Sequence, residues 1–361
     1  MLKRKHVAAG SVGLVMCAAA AILVQQKVGE TGFEPMCEGA FQEDAAQKLF
    51  PGNEVNSRRP RYGGVVGSHG LLTECKAVAE DKKRLATISI GTEATAPGVA
   101  TQANQKPLAT NATSAPLGAG WTGVLTVDGG TAAHATVVMN CRAKGREHIL
   151  VNVKYDLAGT DTHFSQNAEE RLRLAQATTV IARKADEKWK CHAGLGKEVR
   201  QAPTDMVMSA PKPLSQATGT CRSLRSIARE ARKWGITKAI GTEAVAEVPA
   251  QDCLLVNEKD EKVYRLSALY GPLARGYSVG AIINGVPGKA GRDEETPGWA
   301  WSTARCHGTE SASLFTAASL TPPFADYEDR LTVSADFERK LLDAFGSKLA
   351  EQHGCASPAL P

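Results

Sequence analysis

Gly276-Tyr277-Ser278-Val279-Gly280 has the G-x-S-x-G form, which presents a serine nucleophile on a sharp turn between a strand and a helix. A hydrolase also needs a base and an orienting carboxylate, and Asp293, Asp326, His307 and His353 follow in usable order. The context opposes the motif. Gly285, Pro287 and Gly288 interrupt the helix that should follow Ser278. A second stretch, Gly118-Ala119-Gly120-Trp121-Thr122-Gly123, fits G-x-G-x-x-G, whose glycines let a backbone approach a pyrophosphate. It follows a proline-containing loop where a strand is required, and Val124 to Val127 reads as a strand where a helix is required. No nucleotide or other cofactor is expected, and the serine hydrolase using Ser278 stands only as the alternative reading.

The cysteines carry the clearer chemistry. Cys37, Cys75, Cys141 and Cys191 are answered by Cys221, Cys253, Cys306 and Cys355, with Cys17 apart in an apolar stretch. Zinc sites usually bring ligands in close pairs, and no two of these cysteines are close, so disulfides are favoured over metal. Four cysteines permit three pairings per half. The favoured one joins first to second and third to fourth: Cys37 with Cys75, Cys141 with Cys191, Cys221 with Cys253, Cys306 with Cys355.

Two copies of one module must position these residues. The stretch from Cys75 through Val78, Glu80, Arg84, Leu85 and Ile88 to Ser89 matches Cys253, Val256, Glu258, Lys262, Val263, Leu266 and Ser267 without a gap. A further match sets Pro116-Leu117 and Gly120-Trp121 against Pro272-Leu273 and Gly276-Tyr277, which aligns Ser278 with Thr122. On that alignment both glycine-rich motifs occupy one place in the module, where a glycine and an aromatic enter a strand. Copy one then holds extra length at residues 93–115, read as a long loop.

In each copy the first cysteine opens a helical stretch and the second starts a hairpin. The third precedes a strand, and a long helix runs to the fourth, over 167–189 and 334–352. Each module is therefore expected to be α+β, a small antiparallel sheet with a helix packed on it. The expected organisation is a basic start and membrane segment at 1–26, a first module at 30–197, a linker at 198–217 and a second module at 218–361.

Lys3, Arg4 and Lys5 precede an uncharged stretch at 7–24, long enough to cross a bilayer and oriented with its basic flank inside. A retained single-pass anchor is favoured, with the rest extracytoplasmic; a cleaved signal, and so a secreted protein, is the alternative. The formal net charge of +5 owes three charges to those residues, so the exported part is near neutral and nucleic acid is not an expected partner. Trp299 and Trp301 alternate, which puts both rings on one side of a strand as a possible ligand surface or as core. The histidines lack metal-ligand spacing.

The basic start, the Ala-rich apolar segment and modules opening with Cys37-Glu38-Gly39-Ala40-Phe41 or Cys221-Arg222-Ser223-Leu224 resemble envelope-anchored proteins of high-GC Gram-positive bacteria. The resemblance implies an extracytoplasmic binding or sensing role without catalytic residues. The expected function is non-catalytic binding or scaffolding of an envelope protein or glycan, and Cys17 departs from the lipoprotein pattern found in many such proteins.

Overall fold

The computed structural model describes residues 33–58, 70–96, 112–127, 130–142, 148–157, 160, 162–204, 209–280, 289–292, 298–307, 312–320 and 331–361. The expected membrane segment at 7–24, with Cys17, lies outside the described residues. Among the described residues no helix is long and apolar enough to cross a membrane.

The first module runs from a 3-10 turn at Cys37–Gly39 into α1 (Glu43–Leu49), β1 (Val55–Arg58), β2 (Leu71–Ala79) and β3 (Leu85–Thr92). A 3-10 turn at Glu93–Thr95 follows, then β4 (Thr113–Pro116), β5 (Gly123–Val127), β6 (Ala132–Asn140), β7 (His148–Asp156) and α2 (Ala168–Trp189). The second module has β8 (Lys212–Pro213), 3-10 turns and one α-helical turn between Gly219 and Trp234, then β9 (Ile236–Gly241), β10 (Ala250–Asn257) and β11 (Lys262–Leu269). It continues with α3 (Pro272–Gly280), β12 (Ala290–Arg292), β13 (Trp299–Arg305), β14 (Ala312–Ser319) and α4 (Ala335–Gln352). The long helices start where side chains can cap them: Asn167 accepts from the Glu170 amide and Ser334 from the Phe337 amide.

Both sheets are seven-stranded and antiparallel, with orders β1-β2-β3-β7-β6-β5-β4 and β8-β9-β10-β11-β14-β13-β12 when each is read toward its later hairpins. The repeat is visible in the register. Cys75 pairs with Ile88 and Cys253 with Leu266, at the same offset of 178 residues in sequence. The fold is α+β, and six strands correspond between the tandem modules, β1-β2-β3-β7-β6-β5 with β9-β10-β11-β14-β13-β12.

Alternation along the strands gives each sheet two different faces. On β6, Ala133, Ala135, Val137 and Met139 join the core beneath α2, while Val138 joins a cluster on the opposite face. On β10, Cys253 and Leu255 face α4 with Phe337, Leu341, Leu342, Phe345 and Leu349. The second face of each sheet meets the other sheet. Val124, Val138 and Leu150 of the first module pack there with Leu269, Leu273, Trp299, Trp301 and Leu314 of the second. The layers therefore run helix, sheet, sheet, helix, and burial of this apolar surface joins the modules into one body.

Three expectations change in detail. At the 178-residue offset, Pro272 corresponds to Ala94 in the turn after β3, so α3 matches that turn and the alignment with Pro116 does not hold. Of the expected loop at 93–115, Glu93–Thr95 is helical and Thr113 to Ala115 belong to the edge strand β4, while 97–111 lie outside the described residues. The expected linker at 198–217 is pinned at both ends. Val199 is buried in the first core, and Gln176, Arg171 and Arg183 donate to the carbonyls of Val199, Pro203 and Gly196 at 2.8, 3.2 and 2.7 Å. Leu214 and Ala217 are buried in the second core. Charged side chains on α2 hold the chain here, which proline content alone does not reveal.

Candidate functional site

Eight cysteines form four disulfides within the modules: Cys37–Cys75, Cys141–Cys191, Cys221–Cys253 and Cys306–Cys355. The first of each set ties the opening helical segment to the first strand of the β2–β3 or β10–β11 hairpin. The other ties the end of β6 or β13 to the end of the long helix. Such a set suggests an oxidising, extracytoplasmic environment.

Ser278 occupies the seventh position of the nine-residue helix α3, nine residues after β11 ends at Leu269. A nucleophile elbow needs its serine at the strand-to-helix turn itself. The partners are not gathered either: His307 bonds the Gly354 carbonyl, His353 stacks on Tyr270, and Asp293 and Asp326 lie outside the described residues. In Gly118-Ala119-Gly120 all three residues have positive φ, +78°, +55° and +79°, and turn the chain from β4 into β5. A Cβ on Gly123 would stand 2.8 Å from the Thr136 carbonyl oxygen. The glycines of this motif serve a tight strand connection.

Trp299 and Trp301 do share one side of β13, their ring centroids 6.4 Å apart. They are only 7% and 3% exposed and fill the core between the sheets, so the expected ligand surface is not available at these rings. Alternation puts both rings on one side of the strand, but which face the second sheet covers is a tertiary fact.

The charged centre of the molecule lies beside that core. Asp252 is 1% exposed and receives two hydrogen bonds from the Arg265 guanidinium, Nε to Oδ1 at 3.1 Å and Nη2 to Oδ2 at 3.0 Å. The Ser267 hydroxyl donates to Oδ1, and the Ser114 amide on β4 donates to Oδ2 across the module boundary at 2.6 Å. Every donor is aimed at one carboxylate, as a buried charge requires. Its arrangement is that of an inter-module clamp. A second charged contact also crosses the module boundary, where Glu93 joins His148, at 3.0 Å, to Arg275 of the second module.

A cleft of about 390 Å³ opens at the junction of the modules. Its walls are the 116–121 turn, the pinned segment 198–204 and the loop at 243–248. Trp121 is fixed in this wall, its indole donating to the Lys197 carbonyl at 2.7 Å with Arg183 over the ring at 5.1 Å. Glu198, Glu243 and Glu247 line the cleft against Arg200, so its lining carries more negative than positive charge. None of Glu198, Arg200, Glu243 and Glu247 was a candidate from sequence, since three segments separated along the chain meet only in the fold. Among the described residues no three His, Cys, Asp or Glu side chains form a group able to hold a metal ion.

Beside the cleft loop, the Gln251 amide donates to the Val245 carbonyl at 2.6 Å and lies 2.9 Å from His353 Nε2. His353 stacks on Tyr270 with centroids 3.5 Å apart. Burial pushes His353 down to about 4, and burial with the neighbouring Lys154 charge pushes His134 down to about 4. Both histidines take up protons more readily when unfolded, so their contribution to stability falls as pH drops from about 6.5 to about 4. Glu170, raised by burial, opposes this over part of the window, because it binds a proton more readily in the fold. We expect the melting temperature to fall by at least ~4 °C between pH 7 and pH 4.5. Replacing His353 by glutamine should flatten that profile, as calorimetry at the two pH values will show.

Compared with protein-family models, curated proteins and solved structures, the chain matches none.

Proposed function

We propose that the protein is a non-catalytic binding module of the cell envelope, exported and held by the segment at 7–24, that receives its ligand in the junction cleft. The observation that carries this reading is the cleft itself, because both modules and the pinned segment contribute walls to one recess of ligand-binding size. Fusion of the sheets into a single body keeps those walls in fixed relation, which lowers the ordering cost of binding. The excess of carboxylates favours a ligand with cationic groups. The position of Ser278 inside a helix speaks against the exported hydrolase.

Pentalysine, titrated calorimetrically at low salt, is the probe. The Glu243→Gln/Glu247→Gln variant should bind it at least ~10-fold more weakly, and Ser278→Ala should bind it unchanged. Equal affinity of the glutamine variant and the parent protein would remove the cleft from the reading. Covalent labelling of Ser278 by a fluorophosphonate would restore the hydrolase.

A further inference from the structure

One row of residues crosses the first sheet on the face that meets the second. Lys76 pairs with Thr87, Thr87 with Lys154, Lys154 with His134 and His134 with Thr126. In the second module, Leu254, Arg265, Ala318 and Trp299 take the same places, by the 178-residue offset and by register. These four are 0%, 2%, 1% and 7% exposed.

The first-module row is open by contrast: Lys154 is exposed, and Lys76, Thr87 and His134 are half-buried. The asymmetry has a structural source. The first module's edge strand β4 packs over β10 and sends the Ser114 amide to Asp252. Among the described residues the second module has no strand equivalent to β4 to lay over β2.

The open row holds cationic groups without partners. Lys76 and Lys154 form no ion pair among the described residues. Glu74 and Asp156, two residues from these lysines on the same strand face, accept from the Ser89 hydroxyl at 3.0 Å and the Thr131 hydroxyl at 3.3 Å and form no ion pair with them. His134 Nδ1 is buried with no hydrogen-bond partner. Among the described residues the fold gives that atom no partner of its own. Two strand spacings set Lys76 and Lys154 roughly 10 Å apart along the row, with the imidazole one strand beyond.

We propose that this row is a binding site for an oligoanion, with Lys76 and Lys154 each taking a carboxylate or phosphate group and the His134 ring lying beside Lys154 toward one end of the row. The site is separate from the junction cleft and does not depend on it. The ligand's chemistry follows from the geometry: charges must repeat along an extended molecule that can lie across four strands.

The test titrates the full chain with tripolyphosphate and, separately, with citrate at low ionic strength, by calorimetry and by NMR of the histidine rings. Tighter binding of tripolyphosphate assigns phosphate as the group recognised, and tighter binding of citrate assigns carboxylate. In either case Lys76→Ala/Lys154→Ala should lose at least ~10-fold in affinity while keeping its melting temperature, and the His134 resonances should move with the titration. The proposal is overturned if neither anion binds, if the double variant binds within about twofold of the parent, or if the His134 ring does not respond.

Discussion

Replacing Asp252 by alanine is expected to destabilise the protein by about 3–5 kcal/mol, the cost of taking its carboxylate away from a buried guanidinium. The guanidinium of Arg265, 2% exposed, would lose the carboxylate that now accepts two of its hydrogen bonds. The Ser114 amide would also lose its acceptor, loosening β4 from β10 and with it the module interface. Desolvation makes the intact pair a modest net contributor, so removing both charges should hurt less than removing one. Urea unfolding of Asp252→Ala and of Asp252→Ala/Arg265→Leu will separate the cases. A cost below about 1 kcal/mol for the single variant would show that water reaches Arg265 and that the clamp adds little to the apolar contact between the modules.

Reduction should have the larger effect still. The disulfides close loops of 38, 50, 32 and 49 residues. Chain entropy gives about 4 kcal/mol for loops of these lengths, before any discount for residual structure in the unfolded chain. Four such constraints together rival the roughly 5–15 kcal/mol by which a folded domain exceeds its unfolded state. The cores cannot be counted on to replace them, since many buried positions in the sheets are alanine: Ala77, Ala86, Ala133 and Ala135 in one, Ala268, Ala300 and Ala317 in the other. Full reduction is therefore expected to unfold the protein at 37 °C, with loss of near-ultraviolet dichroism and of slow amide exchange. A reduced chain that keeps its melting temperature would place the stability in packing alone.

The comparison of Asp252 with Glu74 explains why so much was legible and where it stopped. Both carboxylates precede the second cysteine of their module, and both accept a hydrogen bond from the serine opposite, Ser267 or Ser89. Cysteine spacing and the ungapped hairpin match expose that shared frame. The capped long helices and the strand after each third cysteine were likewise readable, because helix and strand periodicities are local. The alignment of Pro116 with Pro272 failed for the complementary reason. A short Pro, Gly and aromatic pattern suits a turn into a strand in one module and a helix start in the other, and local chemistry does not distinguish them.

The sequence by itself determined the repeat, the α+β module, the residues able to form disulfides and the pairing favoured among them. These follow from spacing and from periods of two and 3.6 residues, which every strand and helix must obey. Only the tertiary structure decided which face of each sheet is covered. It buried Trp299 and Trp301, matched Asp252 with Arg265 and Ser114, left Lys76, Lys154 and His134 in an open row, and gathered Glu198, Glu243 and Glu247 around one cleft. Alternation says only that a strand has two faces. What lies against each face depends on how two sheets stack, and that stacking is set by the whole apolar surface of both modules, with no single motif to announce it.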